Sequence, residues 1–77
     1  MENIYFTKDL WEAGYLYASE QKLIRLQKEG KFFWFIFLDK EISEKLALSY
    51  WNGEATVNPK AYSDAVRTLK DRLFAQK

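Results

Sequence analysis

Two neighbouring stretches carry the clearest pattern in the chain. Lys22-Leu23-Ile24-Arg25-Leu26-Gln27-Lys28 and Lys31-Phe32-Phe33-Trp34-Phe35-Ile36-Phe37-Leu38 flank Glu29-Gly30. Two runs of strand-forming residues around a tight turn, with glycine free to take positive φ, predict a β-hairpin. With Glu29-Gly30 as a two-residue turn, Leu26 lies opposite Phe33, Ile24 opposite Phe35 and Lys22 opposite Phe37 on one face. The other face then pairs Gln27 with Phe32, Arg25 with Trp34 and Leu23 with Ile36, because side chains alternate with period two. A three-residue turn would exchange the faces, and both registers stay open at this point.

Around the hairpin the periodicity is helical. Asn3 to Phe6 predicts a short first strand. Thr7 then reads as an N-cap and Asp9 as a first-turn acid, with Phe6 packing on Trp11 as a hydrophobic staple. A helix from about Lys8 to Ala18 presents Leu10, Ala13 and Tyr17 on one face, and Gly14 permits close approach of a neighbour. Asp39 caps a second helix over Lys40 to Trp51, with Ile42, Leu46 and Tyr50 in one stripe, and Asn52-Gly53 gives a left-handed stop. Ala55 to Val57 predicts a short strand. Asn58-Pro59 is a cap followed by proline at the first helical position, and Tyr62, Ala65, Val66, Leu69 and Leu73 keep helical period to the end. The expected architecture is a single α+β domain over residues 1–77. It has two layers, with an antiparallel sheet of three or four strands centred on the hairpin and three helices, in the order β-α-β-β-α-(β)-α.

If helices cover the all-apolar hairpin face, the mixed face keeps Phe32, Trp34, Ile36 and Leu38 in a row towards water, a patch that monomers rarely leave bare. A helix crossing the second face would turn that row into core instead, since doubly covered strands are apolar on both sides. The candidate binding residues on the hairpin are Arg25, Gln27, Phe32 and Trp34, because a guanidinium beside an indole suits stacking and phosphate contact. Tyr50 and Trp51 at the end of the second helix either line a pocket or anchor that helix. Arg67 on the last helix is a further cation, with Asp71 at a spacing that permits pairing.

Composition narrows the function classes. A domain of 77 residues has a marginal core. This one has no Cys and no His for disulfides or a common zinc site, so self-association is the expected reinforcement. Nucleophilic dyads or triads built on His or Cys are excluded. Glu41 and Glu44 sit one turn apart beside Lys40 and Lys45, as exposed helix residues do, and the three glycines are isolated rather than gathered in a phosphate loop. No cofactor and no enzymatic role are expected. Twelve basic against eleven acidic residues give no polycationic footprint. The longest apolar run, Phe32 to Leu38, is too short to span a bilayer, and Met1 to Tyr5 lacks the start of an export signal, so the expectation is a cytoplasmic protein with no membrane partner.

Tyr5-Phe6-Thr7, Asp9-Leu10, Ala13, Leu16, Phe35, Phe37, Tyr50, Asn52-Gly53, Val57, Pro59, Tyr62 and Arg67-Thr68-Leu69-Lys70 together resemble a family of short uncharacterised proteins, a domain of unknown function, from bacteria, mobile elements and phages. The resemblance covers nearly the whole chain and rests on capping and packing positions. It therefore implies a fold and carries over no functional residue. In size and composition the chain is also similar in build to small phage proteins that disarm bacterial defence by sequestering nucleotide signals between subunits. The leading expectation is a homo-oligomeric, non-enzymatic anti-defence protein holding an anionic nucleotide-like ligand with aromatic rings and Arg25. A single-stranded nucleic-acid-binding protein and a module that inhibits a host defence enzyme are the alternatives.

Overall fold

A computed structural model describes residues 3–76. Its elements are β1 (Ile4–Thr7), α1 (Leu10–Ala18), β2 (Leu23–Glu29), β3 (Phe32–Leu38), α2 (Lys40–Trp51) and α3 (Pro59–Ala75). The α+β expectation holds, with three strands among the described residues. They form one antiparallel sheet in the order β1-β3-β2. β3 is the most apolar segment of the chain because it is the central strand and has a neighbour on each side. β1 and β2 both run opposite to β3 and so parallel to each other, with α1 as the crossover between them. The strand expected at Ala55 to Val57 does not form. Residues 54–58 are an irregular connection, and their backbone makes no ladder with the sheet.

The hairpin turn lies one residue further on than its sequence suggests. Gly30 and Lys31 are the turn residues, and Gly30 takes φ 61°. Glu29 therefore pairs with Phe32, Lys28 with Phe33, Gln27 with Trp34 and Leu26 with Phe35. The expected pairs are displaced by two residues, and an even displacement leaves each side chain on its expected face. The exception is at the start of β2. A bulge between Leu23 and Arg25 lets Leu23 pair with Phe37 and Arg25 with Ile36. The extra residue exchanges the two ends of the pattern, so Leu23 is buried in the core and Ile24 is turned out to solvent.

Local side chains account for where the helices begin. Asp9, not Thr7, caps α1, its carboxylate accepting from the Glu12 backbone N–H at 2.8 Å. Thr7 is instead the buried last residue of β1, and its hydroxyl accepts from the Asp9 N–H at 3.2 Å. Because the helix starts at Leu10, Phe6 stays on the strand and meets Trp34 rather than Trp11, so the expected staple is not made. Asp39 caps α2 from a left-handed conformation, and Asn58 caps α3 ahead of Pro59, both where expected. In α2 the inward stripe is Ser43, Leu46, Ala47 and Tyr50, while Ile42 faces out.

Helix residues Leu10, Ala13, Leu16, Tyr17, Leu46, Leu69 and Leu73 pack on Tyr5, Leu23, Leu26, Phe35 and Phe37. All five of these strand residues lie on one face of the sheet. Gly14 brings α1 and α3 together there: a β-carbon at this position would lie 2.6 Å from Val66 Cγ2. The layer is completed by a buried polar tie. Ser43 Oγ donates to the Leu38 carbonyl at 3.1 Å and accepts from Gln21 Nε2 at 2.9 Å, and among the described residues no buried side-chain polar atom is left without a partner.

Candidate functional site

The second face of the sheet carries Ile4 and Phe6 from β1, Arg25, Gln27 and Glu29 from β2, and Phe32, Trp34, Ile36 and Leu38 from β3. None of these side chains belongs to the helix-covered core. Ile36, at the centre between Phe6 and Arg25, is fully buried by the side chains around it. Its neighbours are not. Phe6 is 42% exposed and Leu38 44%, and Phe32 and Trp34 are half-buried.

Three rings run across this face in edge-to-face contact. Trp34 sits between Phe6, with ring centroids 6.0 Å apart, and Phe32, at 5.3 Å. Both contacts are within the range that stabilises aromatic pairs. Lys8 Nζ lies 4.9 Å from the Phe32 ring centroid. The Trp34 indole N–H donates to Glu29 Oε1 at 3.0 Å, which fixes the indole against its strand. Arg25 donates to Gln27 Oε1 at 3.4 Å, and both residues are exposed. Rings, a planar guanidinium, an amide and an ammonium thus share one surface. Arg25 does not lie opposite Trp34, as its spacing suggested, because the displaced register puts Gln27 there and Ile36 opposite Arg25.

The other three candidates lie in the helical layer. Tyr50 stacks on Tyr15 of α1 at 5.9 Å and meets Trp51 edge-on at 5.1 Å. The Trp51 indole N–H donates to Glu12 Oε1 at 2.5 Å, and the Tyr5 hydroxyl donates to Glu12 Oε2 at 2.7 Å. Glu12 is only 6% exposed, so one buried carboxylate joins β1, α1 and α2 through two neutral donors. Tyr50 and Trp51 therefore anchor α2 and are not part of the sheet surface. The burial and the Glu12 carboxylate together hold the Tyr5 phenol well above its ordinary pKa. Sequence reading missed Glu12, because a glutamate in the middle of an amphipathic helix looks like any solvated acid until Tyr5 and Trp51 converge on it.

Arg67 lies on α3, in a cleft of about 500 Å³ against α1 lined by Trp11, Tyr62, Val66, Arg67, Lys70 and Asp71. Its expected partner does not meet it. Among the described residues the ion pair of α3 is Lys60 with Asp64 at 3.4 Å, and no carboxylate pairs with Arg67. The Tyr62 hydroxyl donates to the Trp11 carbonyl at 3.1 Å. Its phenol is pushed up to about 12, by burial first and by the neighbouring Tyr50 and Asp9 after it. The structure thus brings together Arg25, Gln27, Phe32 and Trp34, and separates them from Tyr50, Trp51 and Arg67.

Among the described residues no group of acidic side chains is placed to hold a metal, and no helix is long and apolar enough to cross a membrane. Compared with family models, curated proteins and solved structures, the chain matches none of them.

Proposed function

We propose that this is a non-enzymatic binding protein whose working surface is the uncovered face of the sheet, and that it takes an anionic, nucleotide-like ligand there. The observation that supports this reading is the continuous row Phe6, Trp34 and Phe32 outside the helix-covered core, with Lys8, Arg25 and Gln27 at its margins. A base has a π-face to lay on such a row, and Arg25 and Lys8 supply charge for a phosphate. Gln27 adds a donor and an acceptor for a base edge. In this reading two copies meet through the exposed apolar groups Phe6 and Leu38, and a ligand held between them is sequestered from solvent. A phage or mobile-element protein that withholds a nucleotide signal from a host defence would need no more chemistry than this.

Three rings in a row also suit successive bases of a single strand, which is the second reading. Fluorescence anisotropy with a labelled mononucleotide and a labelled oligothymidylate separates the two. Sequestering predicts saturable mononucleotide binding that Trp34→Ala weakens by about 1–3 kcal/mol, the worth of one stacked base. Strand binding predicts affinity that grows with oligomer length and falls steeply with salt. Unchanged affinity for both probes in Trp34→Ala and Arg25→Gln would remove the sheet face from either reading.

A further inference from the structure

We propose that the cleft between α1 and α3 is a second binding site, separate from the sheet face, which takes a small anion borne on a planar ring. Gly14 lets Val66 approach α1, and the Tyr62 hydroxyl holds the Trp11 carbonyl, so Trp11 is set one helical turn before the point of closest approach. Trp11 is 49% exposed and lines the cleft. Arg67 and Lys70, one turn apart on α3, line the same cleft. Among the described residues neither cation is paired with a carboxylate, although Asp71 lines the cleft with them. Lys70 Nζ instead lies 5.6 Å from the Trp11 ring centroid.

An exposed tryptophan beside two cations that no carboxylate of the described residues pairs has the chemistry for a ring that stacks and an anionic group that accepts from a guanidinium fork. A ring laid on Trp11 keeps the indole face occupied and frees Lys70 to turn to the ligand's anion. Asp71 leaves the lining with one net positive charge, which fits a small anion and disfavours a long polyanion. The volume of about 500 Å³ lies within the usual range of small-molecule sites. This site does not depend on the sheet-face reading, since it shares no residue with the row of rings.

The test is an NMR titration of the ¹⁵N-labelled full chain with adenosine monophosphate and, separately, with adenosine. The expected result is saturable shifts at the Trp11 indole N–H and at the amides of Ser63, Arg67 and Lys70. Adenosine should bind at least roughly tenfold more weakly than the monophosphate, because it lacks the charge-assisted hydrogen bonds. Arg67→Gln, at an exposed position, should weaken the monophosphate by a similar factor and leave adenosine unchanged. Shifts confined to residues 32–38, equal affinity for the two probes, or no saturable shift at millimolar ligand would each overturn the cleft site. Shifts on the strand report the sheet face independently, so the two sites stand or fall separately.

Discussion

The two faces of the sheet draw on the same central strand and end in opposite states. On one, Phe35 and Phe37 lie with Leu23 against Ala13, Leu16 and Leu69, and each of these six is buried. On the other, Ile36 is just as buried, yet Phe6 and Leu38 beside it keep more than two-fifths of their surface. β3 is apolar on both sides, and the helices close over only one. The helix-covered face uses its apolar groups to hold the fold together. The uncovered face has apolar groups beyond what the fold uses, and these are what a partner or ligand can bury.

That contrast can be broken at graded points. Phe37→Ala on the covered face should cost about 3–5 kcal/mol, enough to unfold a domain of this size, and urea denaturation followed by circular dichroism reads it. Glu12→Ala leaves the part-buried Tyr5 hydroxyl without its partner and the Trp51 indole N–H to solvent, and should cost about 1–3 kcal/mol in the same assay, with Glu12→Gln recovering part of the loss. Gly14→Ala forces a methyl into Val66 and should cost about 1–3 kcal/mol despite alanine's better helix propensity, and would also spread α1 from α3. The smallest effect is on pH. Tyr62 and Tyr5 bind their protons more tightly folded than unfolded, where a phenol titrates near 10. The Tyr62 contribution is therefore fully present below about pH 10 and is lost as pH rises through about 12, and that of Tyr5, whose phenol is raised further, is lost only at still higher pH. Tyr62→Phe should flatten part of that alkaline fall in melting temperature.

The elements with strong local signals could be read from the sequence. Asp39 and Asn58-Pro59 put α2 and α3 in place, because a cap and a proline act within one turn. Phe32 to Leu38 announced a strand, and its two faces were separable because an even slip in register does not turn a side chain over. What failed depended on distance. Thr7 and Asp9 are both competent caps, and pairing of Thr7 with Phe35 in the sheet settled the choice. The bulge at Ile24 leaves no mark in the adjacent apolar pair Leu23-Ile24, yet it decides which of the two enters the core. Of the candidate site, the hairpin cluster was legible because neighbouring strands bring it together. Tyr50, Trp51 and Arg67 were grouped with it by residue type alone, and only the packing of α2 and α3 on α1 shows that they lie apart from it.

The most direct test of the account is native mass spectrometry of the protein and of Trp34→Ala, each with a nucleoside monophosphate, after circular dichroism has shown both to be folded. The account predicts that the parent chain appears as an oligomer carrying ligand and that the variant, still folded, falls to a smaller subunit number and carries less bound mass, the remainder being the ligand of the α1–α3 cleft. A variant that keeps the same subunit number and the same bound mass would contradict it, and would leave the uncovered face as surface without a task.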